Sequence, residues 1–375
     1  LSTILSVITE VFNIETKSLN LQRTLSGLLP PSQVAAAIKD PNSLDLKPQL
    51  YEVTIMFIDI TGFSLTAKKM ETNAIFSEVR DYLQEITNII LNHNGVVDKT
   101  LGDGMLCFFG FEIGRKQQRL NHAEEAIDCA LKVQELCFER NLTARSVGKA
   151  ILPLRIGINT AKVIIGNLGG QRRIDITMMG EGVNFASRLE TACDPFKIMI
   201  GSSTASVMAD SSISKLLVKR KIQIKHFDDM IDAYELNPYS ENHNKLKIMQ
   251  DLYWDWSNDM ISEERYQIES KHGVVLKMEG TTFKLINFSL SGFQVHGASY
   301  YARGVTSNVS IVDRDKTIEC ELSDPHLMPF LVEVRSGKQL DDGSFVMGLY
   351  IPGLNARQKQ EIFNALSKLS NKVSA

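Results

Sequence analysis

From Tyr51 onward, the apolar residues of this chain arrive in two rhythms. "VTIMFI" (Val53 to Ile58) is continuous, the pattern of a strand buried on both faces. Ile75, Val79, Tyr82, Ile86 and Ile89 recur at three- and four-residue steps, the pattern of an amphipathic helix. "VVDKT" and "MLCFF" flank the turn "LGDG" and predict a hairpin. A second helix is predicted near His122 to Glu139, then strands at Leu154–Asn159 and Lys162–Ile165. A helix from about Glu181 to Ala192 and a strand at "KIMI" complete one α+β domain over residues 46–237.

The flanking regions read differently. Residues 1–45 form an N-terminal helical, transducer-like segment, with Leu1, Ile4, Leu5, Ile8, Val11 and Phe12, then Leu21, Leu25 and Leu28, at helical spacing. This suits an amphipathic helix or a short two-stranded coiled coil, which "LLPPSQV" stops or bends because proline lacks the backbone donor. Residues 238–261 carry both tryptophans, Trp254 and Trp256, and read as a polar linker followed by a short helix. Residues 262–375 turn to short strands, "VVLKM", "TFKLINF", "NVSIV", "IECEL" and "FVMGLYI", and predict a β-barrel. A helix from Asn355, with Ile362, Leu366 and Leu369 on one face, closes it.

Composition narrows the function classes. At 375 residues the chain is long enough for two domains, with 43% hydrophobic and 23% charged residues, as in ordinary globular proteins. A net charge of -3 gives no field to recruit nucleic acid or anionic lipid. The five cysteines form no CxxC pair, which argues against zinc and disulfide frameworks and fits a reducing compartment. No apolar run approaches the ~18 residues of a membrane span, so a soluble, cytoplasmic chain without a transmembrane segment is expected. Because it begins at Leu1 rather than Met, it is also expected to be a portion of something longer, with a tether through an upstream region.

Three features carry chemistry. Asp59 ends the buried strand in "FIDITGF", where a carboxylate is costly unless a positive group meets it. The following "ITGF" can turn backbone N–H groups toward an anion. Asp103, in "LGDG", supplies a second carboxylate, and two hard oxygen ligands from separate strand ends suit Mg²⁺ or Mn²⁺ shared with phosphates. On the helix "GEGVNFASRLE", Asn184 and Arg188 share a face, an amide and a guanidinium placed to orient a ribose and stabilise a transferring phosphoryl group. Singly, Asp59 reads more often as a cap or turn residue and "GDG" as a plain turn, while the helix face reads equally as solvated.

Taken in order, these pieces resemble the class III nucleotidyl cyclase catalytic domain over about Tyr51 to Leu236. The resemblance implies a ferredoxin-like α+β fold, a mixed sheet with flanking helices. Asp59, Ile60 and Asp103 stand at its metal-binding positions, for two Mg²⁺ or Mn²⁺ per site, with Asn184 and Arg188 as its catalytic pair. Thr61, Gly62 and Phe63 fall in its substrate loop. Its base-reading pair falls on Lys99 and Thr177, a donor and an acceptor that suit adenine, and its triphosphate lysine on Lys225, with His226 and Met230 departing from the usual glycine and proline. The implied reaction converts ATP to cyclic AMP and pyrophosphate in a head-to-tail homodimer with shared sites, with the proton acceptor left open. A guanylate cyclase and an inactive cyclase-fold scaffold are the alternatives. Arg172 and Arg173 read as solvated loop residues.

The C-terminal region resembles a PilZ domain through "NFSLSG", with Asn287, Ser289 and Gly292 at the motif positions and Arg265 at the first position of an R-x-x-x-R pair. The resemblance implies cyclic di-GMP, or a regulatory protein, as the partner of this barrel. The second arginine position is Glu269, whose charge opposes a dianionic ligand.

Overall fold

The computed structural model describes residues 16, 19–113, 119–169, 175–223, 230–259, 265–268, 273–290, 292–301, 305–313, 316–317, 329–351, 354, 356–368 and 370–372. The readings made for residues 1–15, Arg172, Arg173, Lys225, Glu269, "IECEL" and Leu369 lie outside them. The chain divides into two compact units, Leu1–Leu246 and Lys247–Ala375.

The first unit contains helices α1 (19–26), α2 (Pro31–Lys39), α3 (Phe63–Lys69), α4 (Thr72–Asn92), α5 (His122–Ser146), α6 (Glu181–Ala192) and α7 (Ser202–Val207). Its strands are β1 (Gln49–Ile60), β2 (Val96–Leu101), β3 (Gly104–Phe109), β4 (Leu154–Asn167), β5 (Ile176–Met179), β6 (Ile198–Gly201), β7 (Leu217–Gln223) and β8 (Met230–Leu236). They form one mixed sheet in the order β2-β3-β1-β4-β6-β8-β7, with β5 on β4. The β4–β6 pairing is parallel.

β1 is central, between β3 and β4, which explains why its apolar run does not alternate. The β2–β3 hairpin forms as predicted, and α4 buries Ile75, Val79, Tyr82, Ile86 and Ile90, one residue beyond the predicted Ile89. Two predictions change. The strands expected at Leu154–Asn159 and Lys162–Ile165 are one continuous β4, because the intervening Thr160 and Ala161 stay in register with Thr54 and Val53 of β1. The helix expected to stop near Glu139 runs to Ser146, its last turns tied by Asn141, whose side chain bonds Leu152 at both N and O.

One face of this sheet is curled. β2 and β5 are separated by three strands, yet Val96, Leu106 and Phe108 share a core with Ile176 and Met178, closed by Leu25 and Leu29 from the N-terminal segment.

The helix expected after the polar linker is α8 (His243–Asp259), and the division between units falls within it. The second unit adds β9 (Tyr266–Ile268), β10 (Val274–Met278), β11 (Thr281–Phe288), β12 (Gly292–Gly297), β13 (Thr306–Asp313), β14 (Lys316–Thr317), β15 (Phe330–Gln339), β16 (Phe345–Tyr350), α9 (Ala356–Ser367) and β17 (Ser370–Lys372). The order β10-β13-β15-β16-β12-β11 returns to β10, a closed barrel with no free edge in the ring. Ile362 and Leu366 of α9 pack into its core as predicted.

Candidate active site

Asp59 is the next-to-last residue of β1, on the same face as Val53, Ile55 and Phe57 by strand alternation. It pairs in register with Gly104 on one side and Arg155 on the other. Gly104 opens β3 directly after Asp103, so the hairpin turn delivers the second carboxylate beside the first. A Cβ at Gly104 would lie 2.7 Å from the Ile58 carbonyl and 3.3 Å from Asp59 Oδ1, so only glycine leaves this gap open. Burial, and after it the charge of Asp59, push the Asp103 carboxyl up from its ordinary range.

The positive group that Asp59 requires is present within the chain. Arg155 Nη2 and Nε donate to Asp59 Oδ2 at 2.9 and 3.2 Å. The same guanidinium lies against Glu190 of α6 and donates from Nη1 to the Thr191 carbonyl at 3.4 Å. Glu190 is 7% exposed, and burial raises its carboxyl to about 7 despite the opposing effect of Arg155. This contact depends on Gly157, one strand repeat from Arg155 on the same face. A Cβ there would come within 2.2 Å of the Glu190 amide, so the glycine lets α6 sit directly on β4.

Asn184 is exposed and Arg188 half-buried, and at four residues apart they share a face of α6 as expected. Arg188 and Glu190 are two residues apart, about 200° around the helix. With Glu190 docked at Arg155, Arg188 stands on a different face of α6 from the one that meets Arg155.

The structure also brings Lys99 and Thr177 together across 78 residues. Lys99 Nζ donates to Thr177 Oγ1 at 3.2 Å, and Thr177 donates to Asp98 Oδ2 at 3.0 Å. Asp98 is buried beneath them, 3.4 Å from Lys99 Nζ, and its carboxyl is pushed up by burial. A register irregularity between Val97 and Lys99 marks the same place on β2.

The Thr61 amide donates to the Pro153 carbonyl at 2.8 Å, and its hydroxyl oxygen is buried with no hydrogen bond among the described residues. Gly62, at φ 73°, turns the chain into α3 and leaves the first-turn amides, Phe63's among them, at the Asp59 end of β1.

Sequence reasoning missed Arg155, Glu190 and Asp98. Two signals were legible: Gly157 inside a strand, which marks a close approach, and Asp98 inside "VVDK", the same acid-in-apolar-strand anomaly as Asp59. For Glu190 the helix pattern alone carried none.

The family described as the adenylate and guanylate cyclase catalytic domain matches residues 46–238, just over half of the chain. The chain belongs to this cyclase family. It is 30% identical over 190 residues to an adenylate cyclase of Anabaena cylindrica, an alignment covering 49% of this chain and 36% of that protein. It is 26% identical over 218 residues to a receptor-type guanylate cyclase of Caenorhabditis elegans, covering 58% and 20%. It thus spans well under half the length of either relative. The cyclase fold is shared with a bacterial light-regulated adenylyl cyclase, at a TM-score of 0.50 and 22% identity over 69% of this chain and 70% of that one. Among the described residues no helix is long and apolar enough to cross a membrane.

No cluster of three or more His, Cys, Asp or Glu side chains suited to a metal occurs among the described residues. Two converging carboxylates are nonetheless the donor set that Mg²⁺ or Mn²⁺ takes when phosphates and water complete its shell. The residues present fit such an ion.

Proposed function

We propose that this protein is an adenylate cyclase, forming cyclic AMP and pyrophosphate by attack of the ATP ribose 3′-oxygen on the α-phosphorus. The observation that carries the reading is the convergence of Asp59 and Asp103 at a gap that Gly104 keeps open. Divalent cations held there by Asp59, Asp103 and the Ile60 carbonyl would neutralise triphosphate charge and acidify the 3′-hydroxyl. Asn184 orients the ribose and Arg188 stabilises charge in the transition state. Arg155, with its guanidinium at the same carboxylate, is placed to meet phosphate oxygens.

The direction of the hydrogen bonds supports adenine. Thr177 donates its proton to Asp98, so it offers a ligand a lone pair, and Lys99 offers a proton. The 6-amino group and N1 of adenine match that pair, and guanine presents the reverse. Because Arg188 stands on a different face of α6 from Glu190, which meets the Asp59–Arg155 pair, we read a complete site as drawing Asn184, Arg188, Lys99 and Thr177 from one copy and the carboxylates from another. Leu50, Ile164 and Met179 support such a homodimer: they are in register on three adjacent strands, and are 66%, 48% and 53% exposed.

We read the barrel as a PilZ-like regulatory domain that does not take up cyclic di-GMP. Its motif residues are engaged with one another: Arg265 Nη1 donates to Asn287 Oδ1 at 2.8 Å, and Asn287 Nδ2 donates to Gln294 Oε1 at 2.6 Å.

The test is cyclic nucleotide formation with Mn²⁺, offering ATP and GTP separately, with Asp59→Ala as control. ATP turnover lost in the variant is the expected result. Faster GTP turnover would reverse the base assignment, and no turnover with either nucleotide would favour a scaffold.

A further inference from the structure

Asp59 Oδ2 accepts from two nitrogens of one guanidinium. A divalent cation binding this carboxylate competes for those lone pairs and repels the guanidinium, so Arg155 has to yield before the cation is fully seated. Where Arg155 can go is set by α6. Its Nη1 already reaches the Thr191 carbonyl at the C-terminal end of the helix, where a cation is favoured. Beside it lies Glu190. The Thr191 hydroxyl covers Glu190 Oε2 at 3.2 Å, whereas Oε1 is buried without a hydrogen bond although it lies against Arg155 Nε. Arg155 is thus shared between two carboxylates: Asp59 takes two of its hydrogen bonds, and Glu190 meets it as a close ion pair. A small rotation of the guanidinium reverses this assignment without burying any new charge, since Glu190 is desolvated already.

We propose that Arg155 is a built-in counter-cation of Asp59, and that Glu190 is the positioning residue that receives the guanidinium when a divalent cation claims Asp59, given that Asp59 is a metal ligand as proposed above. Glu190 thus makes metal loading easier by offering Arg155 a second acceptor. Gly157, which seats α6 on β4, makes the hand-over short.

The test titrates Mn²⁺ alone into the full chain by calorimetry, in mildly alkaline buffer where Glu190 is ionised, and needs no turnover. Arg155→Gln removes the competitor and is expected to tighten Mn²⁺ binding. Glu190→Gln is expected to weaken it about tenfold, the scale of one hydrogen bond to a charged group, and to have no effect once Arg155→Gln is present. Equal weakening by Glu190→Gln in both backgrounds would make Glu190 a plain negative charge and overturn the hand-over. Unchanged or weaker binding in Arg155→Gln would overturn the counter-cation role. Asp59→Asn separates the two levels. If it binds Mn²⁺ as the wild type does, the metal reading itself fails; if it loses binding, the comparisons above stand on their own. Should Arg155→Gln not fold, Arg155→Lys keeps the charge without the planar fork and should shrink the Glu190→Gln effect; an undiminished effect overturns the proposal.

Discussion

The two units treat their signature polar residues in opposite ways. In the cyclase unit, Asp59 and Asp103 converge as like charges around a glycine gap, and Asn184 is exposed. In the barrel, Asn287 is bonded on both sides, to Arg265 and Gln294, and the Ser289 amide closes a turn on the Gly292 carbonyl at 2.9 Å. Gly292 is glycine because a Cβ would lie 2.1 Å from the Leu349 carbonyl. The described motif positions of the barrel, Arg265, Asn287, Ser289 and Gly292, are thus engaged within the barrel, whereas Asp59 and Asp103 bring like charge together beside Arg155. A motif whose atoms satisfy one another reads as structure; one whose charges remain in tension reads as a site.

The sharpest way to break this contrast is Arg188→Ala, expected to lower turnover by about 10²–10³ with little loss of stability, because it removes transition-state charge stabilisation. Unchanged turnover would reduce the cyclase unit to the same architectural status as the barrel. Next in size is a pH effect. Glu190 is raised to about 7 from an ordinary 4.5, so the folded state holds its proton more tightly than the unfolded state. The stability this group supports is fully present below about pH 4.5 and falls as pH rises through about 7, a loss on the order of 3 kcal/mol that Glu190→Gln should remove. Urea midpoints across that window read it, and an identical pH slope in the variant would count against it.

A smaller expected effect is on base choice. Lys99→Gln removes the charged donor and should narrow the ATP-to-GTP ratio of kcat/KM by roughly ten- to a hundredfold; an unmoved ratio would detach Lys99 from the base. Smallest is Arg265→Ala, expected to cost the barrel about 1–2 kcal/mol through the lost bond to Asn287. Cyclic di-GMP should give no heat with the wild type. Heat that disappears in Arg265→Ala would turn the barrel motif outward and erase the contrast between the units.

Much of the fold was legible because burial leaves periodic marks. β1, α4, α6 and the capping helix α9 were predicted from the run of the sequence, and the β2–β3 hairpin from two apolar runs flanking the glycine turn "LGDG". The misjudged limits have local causes. β4 was split because Thr160 and Ala161 interrupt its apolar run, although strand pairing tolerates them; α5 was cut short because Asn141 looks polar but is buried and bonded. In the site, Asp59 stood out as an acid ending a buried strand, and Asp103 as a second carboxylate at a hairpin turn. Arg155 and Glu190 did not, since an arginine opening a strand and a glutamate on a helix are ordinary until their partners are known.

What the sequence determined by itself is the set of elements and the chemical kinds of side chain at their ends, because periodicity and local charge are properties of neighbours along the chain. What the tertiary structure decided is pairing: that Arg155 faces Asp59 across two strands, that Gly157 brings Glu190 down onto that arginine, and that the curled sheet places Thr177 beside Lys99 and Asp98. Those contacts join residues tens of positions apart, and their energies depend on burial and on the direction of each hydrogen bond. Neither quantity exists until the chain is folded.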